Sequence, residues 1–452
     1  MVIPLETVIG SSESGHAGRD FRRASGPSFR NHPHPSDRAD QRFIGPVLEA
    51  TGLQGKAALS DRVEIEGPGG PISGEVLRLS PDRVTILPEG SAEGLKIGTV
   101  VTVAGRAEIA PDDSWIGRII DPAGRPLDGR PLFRGRVSRP LRSPAPKAAD
   151  RRMTGQRLET GMRVFNTLLP LVQGQRIGLF AGSGIGKSML LAKFATKLQA
   201  DVVVFALIGE RGRELRAFTE KTLGPEGMAR SVVVAATSDQ APQVRRRCAW
   251  TAMAIAEHFR EQGRHVLLIA DSITRFAEAH REIALAAGET GSLDGFPPSV
   301  SHMIMSLAER AGPGPEGEGD ITAVFSVLVA GSDMEGPIAD ILRGTLDGHV
   351  VLDRRIAERG RYPAIDLLRS VSRSLPDAAG PEENELILRA RRLLGAWDRS
   401  ELMIQAGLYA KGSDPLTDQA ISAFPDLDAF IAEDEPQDIA ASFRHLAACL
   451  PD

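Results

Sequence analysis

Residues 181–188 read AGSGIGKS, a spacing close to the phosphate-binding pattern G-x-x-x-x-G-K-[ST]. The apolar run RIGLF precedes this stretch and the helical pattern SMLLAKFATKL overlaps its end, which is the strand, loop and helix order that such a loop requires. Glycines let backbone N–H groups turn toward phosphate oxygens, and the following helix adds its positive N-terminal end. We therefore predict a phosphate-binding loop, against the alternative of a glycine-rich turn with an incidental lysine.

The loop residues have separate predicted roles. Lys187 is expected to reach the β- and γ-phosphates, and the Ser188 hydroxyl is expected to ligate Mg²⁺. Ala181 replaces the first glycine of the pattern, but a residue at a strand exit can keep a negative φ, so the backbone tolerates it. The predicted nucleotide-binding residues of the loop are Gly182, Ser183, Gly184, Ile185, Gly186, Lys187 and Ser188.

Two carboxylates at strand ends are candidates for the remaining chemistry. The run HVLLIAD ends on Asp271, which could hold the metal directly or through water, although a strand-terminal Asp can instead cap the next helix. The run DVVVFALIG is followed by Glu210 and Arg211, at the sheet edge where open α/β sheets bind ligands. Glu210 could position the attacking water, and the alternative is an exposed Glu-Arg ion pair.

Composition limits the classes of protein that this chain can be. Its 452 residues exceed one compact core, so two or three domains are expected. The net charge of -5 argues against a general nucleic-acid binder. Cys248 and Cys449 form neither a disulfide framework nor a metal-ligand spacing. There is no secretory leader and no membrane-spanning apolar run, which favours a cytoplasmic protein attached to a membrane at most from outside.

Changes of pattern along the chain predict five segments. Residues 1–42 are rich in Ser, Arg, Pro and Gly and are expected to be mostly disordered, with a short partner-binding helix as the alternative. Alternating runs predict a small β-barrel over 43–112, and Gly, Pro and Asp predict a turning linker over 113–150. Buried strand patterns alternating with helical ones predict an α/β domain over 151–376, followed by a helical domain over 377–452.

With these residues placed, the chain resembles the hexameric ATPases of type III protein export, most closely the flagellum-specific ones. The resemblance covers roughly residues 45–430 and rests on AGSGIGKS, IGERGRE, VLLIADSITRFAEAHREIALAAGE, GFPPSV, RGRYPAID, SVSR and YAKGSDP, among others. The larger family includes the subunits of rotary ATP synthases. The resemblance implies a RecA-like P-loop NTPase core of the α/β class with an N-terminal small β-barrel and a C-terminal helical domain.

The resemblance also implies roles for residues. Alanine at position 181 is the export-type variant of the loop. Glu210 matches the family's catalytic glutamate, at a place where noncatalytic synthase subunits carry glutamine. We also predict that the adjacent Arg211 is a catalytic residue. Arg373 of SVSR matches the arginine that reaches into the neighbouring subunit's site. Tyr362 of RYPAID matches an aromatic that contacts adenine, with a plain packing tyrosine as the alternative.

The function implied is hydrolysis of ATP, with Mg²⁺, by a homohexameric ring that assists export of flagellar proteins through the type III apparatus. Implied partners are regulator or stator and stalk proteins, export chaperones and substrates, and the membrane export gate, but no nucleic acid. The implied location is the cytoplasm, at the inner membrane beneath the flagellum.

Other functions remain open at this stage. A virulence-type secretion ATPase and a rotary synthase catalytic subunit are catalytic alternatives, and the loop variant argues against the synthase. A noncatalytic ring subunit is disfavoured by Glu210. A hexameric RNA translocase is disfavoured because segment 43–112 is not notably basic and lacks interleaved aromatics for stacking bases.

Overall fold

The computed structural model describes residues 42–44, 46–292, 295–329 and 336–451. The prediction of disorder for residues 1–42 therefore lies, apart from its last residue, outside the described residues. The strands are β1 (Arg42–Ile44), β2 (Val47–Ala50), β3 (Arg62–Gly67), β4 (Gly70–Leu79), β5 (Val84–Pro88), β6 (Val101–Gly105), β7 (Glu108–Ile109), β8 (Arg118–Ile120), β9 (Arg139–Pro140), β10 (Arg176–Ala181), β11 (Val202–Glu210), β12 (Ser231–Thr237), β13 (His265–Asp271), β14 (Gly312–Pro313), β15 (Asp320–Leu328), β16 (Gly348–Leu352) and β17 (Ile365–Ser372).

The α-helices follow the strands of the central region and form the C-terminal region. They are α1 (Arg163–Asn166), α2 (Lys187–Lys197), α3 (Gly212–Ala217), α4 (Gly224–Met228), α5 (Pro242–Glu261), α6 (Ile273–Ala286), α7 (Ser299–Ala308), α8 (Pro337–Thr345), α9 (Arg354–Glu358), α10 (Pro381–Gln405), α11 (Pro415–Ala432) and α12 (Ile439–Ala448). Within the parts of the chain described, no helix is both long enough and apolar enough to cross a bilayer.

The N-terminal strands form an antiparallel six-stranded sheet in the order β1-β2-β5-β4-β3-β6. Alternation in β3 points Val63 and Ile65 inward, where they pack with Val84, Ile86 and Leu48 from the neighbouring strands. A strand with this period buries one face and exposes the other, as RVEIE does, whereas β5 is buried along its whole length.

A nine-stranded sheet forms the centre of the middle domain. Its strand order is β17-β16-β10-β15-β13-β11-β12-β8, all parallel except β17, with β14 paired antiparallel to β15. Successive residues of β11 alternate between two hydrophobic cores, one on each face of the sheet. Strands buried on both faces are continuous apolar runs, as the sequence predicted. Segment 113–150, expected to be a linker, also supplies the edge strand β8.

The C-terminal helices α10, α11 and α12 pack against one face of the central sheet together with α1. Trp397 of α10 stacks on Phe424 of α11 with ring centroids 4.1 Å apart. The runs EENELILRARRLLGAW and SELMIQAGLYA belong mostly to the one helix α10. The predicted α/β class, with a small β-barrel before the core and helices after it, is confirmed.

A buried chain of polar side chains joins the barrel to the central domain. Glu75 of β4 accepts a hydrogen bond of 2.5 Å from Arg246 of α5, and Arg246 also contacts His280 Nδ1 at 3.0 Å. His280 Nε2 lies 2.9 Å from the Ser299 hydroxyl, which donates to Glu289. Burial, with the charge of Arg246, lowers the pKa of His280 to about 4, so its ring is neutral and accepts from Arg246. The barrel is therefore fixed to helices α5 and α6.

We expect Glu75→Gln to destabilise the protein by about 3–5 kcal/mol, because it leaves the Arg246 charge buried without its carboxylate. The measurement is the urea midpoint of the first unfolding transition. Glu49→Gln is the control, since Glu49 pairs with the partly exposed Arg83 within the barrel and is expected to cost about 0–1 kcal/mol. Equal losses in the two variants would contradict the structural role given to the Glu75–Arg246 pair.

Candidate active site

The loop after β10 has the backbone that a phosphate cradle requires. Gly184 and Gly186 adopt positive φ angles of 77° and 87°, and α2 begins immediately afterwards at Lys187. Ala181 is buried as the last residue of β10 and keeps a negative φ. The expectation that alanine is tolerated at this position is confirmed by its backbone, because the glycine conformations fall later in the loop.

A buried ion pair lies at the carboxyl edge of the central sheet. Lys187 Nζ contacts Asp271 Oδ1, and Ser326 Oγ of β15 donates to the same oxygen at 2.6 Å. Asp271 is only 5% exposed. The residue that caps α6 is Ser272, whose hydroxyl accepts from the Arg275 N–H. The alternative that Asp271 serves as the helix cap is therefore wrong.

A β-bulge sets the position of Glu210 at the end of β11. The register with β12 shifts between Ile208 and Glu210, and Gly209 between them has a φ of 69°. A bulge re-aims the side chain that follows it. Burial and then the negative charge of Asp271 raise the pKa of Glu210 to about 7, while Lys187 opposes the shift. Glu210 therefore lies within the electric field of the Lys187–Asp271 pair.

Arg211 does not form an ion pair with Glu210 in this structure. Its guanidinium contacts Glu214 at 3.0 Å, and its side chain is largely exposed. The alternative, in which Glu210 and Arg211 form an exposed ion pair, is therefore not what the structure shows. Arg211 pairs with Glu214 instead, and Glu210 remains beside Lys187 and Asp271.

Tyr362 and Arg354 flank the loop on the side of α9. A Cβ built on Gly186 would lie 3.0 Å from the Tyr362 ring, so the ring packs directly against the loop. The tyrosine is 51% exposed, which leaves part of the ring open for a base to stack. Arg354 Nη2 donates to the Ser183 carbonyl at 3.3 Å.

Arg373 lies at the other end of the parallel strands, beside their amino ends. Its N–H donates to the Asp347 carbonyl, and the Asp347 N–H donates to the carbonyl of Arg176, the first residue of β10. The loop follows the last residue of β10, roughly 16 Å away at the rise of a strand. Arg373 is exposed, and its guanidinium donates to the Arg343 carbonyl. The structure thus brings Lys187, Glu210, Asp271 and Tyr362 together and keeps Arg373 apart.

The residues present fit a magnesium ion bound with phosphates. Ser188 is exposed at the start of α2, and Asp271 offers a carboxylate whose hydrogen bonds from described residues all go to Oδ1. Oxygen donors of this kind suit Mg²⁺, which binds through one or two protein groups plus substrate phosphates. The described residues contain no group of three or more His, Cys, Asp and Glu suited to a metal. An all-protein metal cage is therefore absent from the described structure.

Sequence reasoning missed two side chains of this site, Ser326 and Arg354. Ser326 is fully buried in the run ITAVFSVLVAG, and a hydroxyl inside an apolar strand needs a buried partner, which was the available signal. Arg354 carries no comparable signal, because its contact with the loop depends on how α9 folds back.

Three family models match the chain in succession. They are the ATP synthase alpha/beta family beta-barrel domain over residues 41–105, the nucleotide-binding domain of the same family over 161–372, and the T3SS EscN ATPase C-terminal domain over 379–448. Together they follow the order of barrel, central sheet and C-terminal helices.

Individual relatives are similar over most of their length. The flagellum-specific ATP synthase of Caulobacter vibrioides is 45% identical, covering 87% of this chain and 90% of the relative. The type 3 secretion system ATPase of Xanthomonas euvesicatoria is 41% identical, covering 87% and 89%.

Solved structures agree with these relatives. The assembled ATPase EscN of the enteropathogenic E. coli type III secretion system has a TM-score of 0.84 at 35% identity, covering 91% of this chain and all of EscN. A structure of EscN with its central stalk EscO has a TM-score of 0.82. This chain therefore belongs to the type III export ATPases of the ATP synthase alpha/beta family, and it is an enzyme that binds and hydrolyses ATP.

Proposed function

We propose that this chain acts as a homohexamer whose active sites form between subunits. The observation that carries the proposal is the separation of Arg373 from the other predicted site residues. Arg373 lies at the amino ends of the parallel strands, and the others lie at the carboxyl ends. A closed ring in which one subunit's Arg373 edge meets the next subunit's loop edge brings the two halves together. The similarity to EscN, which was solved as an assembled ATPase, supports this arrangement.

In the proposed mechanism Lys187 leaves Asp271 and binds the β- and γ-phosphates, while loop N–H groups hold the remaining phosphate oxygens. Mg²⁺, held by Ser188 and Asp271, would neutralise charge on the phosphates. Ser326 keeps Asp271 in place when Lys187 moves, because its hydrogen bond goes to the same carboxylate. Tyr362 would stack on adenine from its position beside Gly186.

Glu210 would orient the attacking water and accept its proton. A general base works best with a pKa near the operating pH, and burial beside Asp271 raises the pKa of Glu210 to about 7. The neighbouring subunit's Arg373 would neutralise charge that develops on the transferred phosphoryl group. Arg211, next to Glu210, would add positive charge to the site if its guanidinium left Glu214 and bound a phosphate oxygen.

We further propose that the hydrolysis serves flagellar export. The similarity to flagellum-specific relatives of 39–45% identity supports this, and the virulence-type relative at 41% represents the alternative. A stalk protein as a partner is supported by the similarity to EscN, which was solved with its central stalk. Regulator or stator proteins, chaperones, export substrates and the membrane gate complete the proposed partners, with the enzyme in the cytoplasm at the inner membrane beneath the flagellum.

We expect Glu210→Gln to lower the ATP turnover rate by about 10²-fold or more, because glutamine cannot accept a proton from water. Phosphate release is measured at a protein concentration where the parent is assembled. Glu220→Gln is the control, since Glu220 is an exposed carboxylate paired with Arg216, and it should retain parent activity. Turnover by Glu210→Gln at the parent rate would disprove the role of Glu210.

We also expect Glu210→Gln to be more stable than the parent at pH 8, by a margin that shrinks as the pH falls toward 5. A carboxyl whose pKa is raised in the folded state, here to about 7, loses folding free energy as pH rises from its ordinary value of 4.5 through 7. The neutral amide avoids this loss. Melting temperatures of the nucleotide-free proteins test it, and a difference that does not depend on pH would contradict the shifted pKa.

For Arg373→Ala we expect ATP binding to be kept and turnover to fall roughly 10³-fold, the loss typical of an arginine supplied in trans. Specific activity of the parent should rise with protein concentration, whereas that of the variant should stay flat. Binding is measured with a fluorescent ATP analogue, and Arg392→Ala, an exposed arginine of α10, is the control. A parent whose specific activity is the same at every concentration would contradict an intersubunit site.

A further inference from the structure

A cavity lies where the barrel meets the central domain, away from the nucleotide loop. It has a volume of about 220 Å³. Apolar side chains form part of its wall, and three arginines and one glutamate supply its charge. The charged lining residues are Arg106, Arg142, Arg247 and Glu75.

The side chains around the cavity carry more positive than negative charge. Arg247 pairs with Glu89 at 2.6 Å, and Glu75 pairs with Arg246 just behind the wall. These two carboxylates face four arginines, because Arg106 and Arg142 belong to the same cluster. Burial lowers the pKa of Arg246, opposed by Glu75, and the charges of Arg142 and Arg247 lower it further. Among the described residues no carboxylate forms an ion pair with Arg106 or Arg142, two exposed side chains, in a protein whose net charge is -5.

Two of the arginines, Arg142 and Arg246, are held in place by an aromatic ring, whereas Arg106 is exposed at the rim of the cavity. The guanidiniums of Arg142 and Arg246 lie over the Trp250 ring at 4.9 and 4.8 Å from its centroid. Arg142 also donates to the Ser60 hydroxyl at 2.9 Å. Cation–π contacts and hydrogen bonds of this kind fix the orientation of the guanidinium plane.

Two further signs of an incomplete site occur here. Ser60 has a φ of 67°, the one positive φ outside glycine among the described residues, and such strain collects at functional sites. Behind the cavity wall, Arg246 Nε is buried without a hydrogen-bond partner among the described residues. A buried guanidinium N–H normally has an acceptor, so the polar network beside the cavity lacks one.

We propose that this cavity is a binding site for a small soluble phosphate compound, separate from the active site. A phosphate group carries close to two negative charges at neutral pH, which matches the two uncompensated arginine charges. The fork geometry of arginine suits phosphate oxygens, and the apolar wall formed by Leu59, Ala107, Leu141 and Trp250 accommodates an organic part. Bound there, the compound joins barrel residues to α5 and stabilises their contact.

The test measures pyrophosphate binding by calorimetry in Lys187→Ala, which removes the phosphate contact of the active site. We expect this variant still to bind pyrophosphate, and Arg106→Ala in the same background to weaken binding about tenfold, the value of one charge-assisted hydrogen bond. Arg106→Glu should abolish binding, while Arg136→Ala, an exposed arginine outside the cavity, should leave it unchanged.

Arg106→Ala with Lys187 intact should hydrolyse ATP at the parent rate, which shows that the variant is folded and that the active site is not involved. Loss of all pyrophosphate binding in Lys187→Ala would overturn the proposal. Binding that survives Arg106→Glu, or a requirement for Arg106 seen only with anionic phospholipid vesicles, would overturn it as well.

Discussion

The buried ion pair between Lys187 and Asp271 is the interaction on which the rest of the site depends. Lys187 follows β10 and Asp271 is the last residue of β13. The intervening strand β15 carries Ser326, which donates to the carboxylate oxygen that Lys187 contacts. Removing one partner of a buried pair leaves a costly charge, so neither residue can move without a substitute. In the proposed mechanism ATP with Mg²⁺ supplies both substitutes, phosphate for the lysine and a cation for the aspartate. In that mechanism the pair couples nucleotide binding to a rearrangement at the carboxyl ends of the strands.

The same sheet that assembles this pair also divides the active site. Parallel strands place the loop, Glu210 and Asp271 at their carboxyl ends, whereas the antiparallel strand β17 returns Arg373 to the amino ends. No rearrangement of side chains closes a gap of a full strand length. The proposed dependence on a neighbouring subunit would thus follow from strand direction. The barrel is fixed through Arg246 and His280 to α5 and to α6, the helix that follows Asp271.

Much of the fold could be predicted because each buried strand leaves an apolar run and each loop leaves glycine, proline or aspartate. The backbone at Ala181 also follows from local conformational rules, whereas the bulge at Gly209 was not predicted. What could not be predicted depends on contacts between distant segments. The pairing of β8 with β12, the contact of Arg354 with Ser183, and the chain from Glu75 to Glu289 have no local pattern. Arg211 shows the limit of motif reasoning, because its position beside Glu210 does not fix its partner.

Mixing two inactive variants tests most directly the claim that each active site is shared between subunits. Lys187→Ala lacks the phosphate contact and Arg373→Ala lacks the arginine, so neither homo-oligomer has a complete site. In a randomly mixed ring of equal parts, roughly a quarter of the interfaces pair an intact Lys187 with an intact neighbouring Arg373. The ATPase rate of the mixture should therefore recover to about that fraction of the parent rate. A mixture that remains as inactive as either variant alone, while the oligomers exchange subunits, would contradict the account.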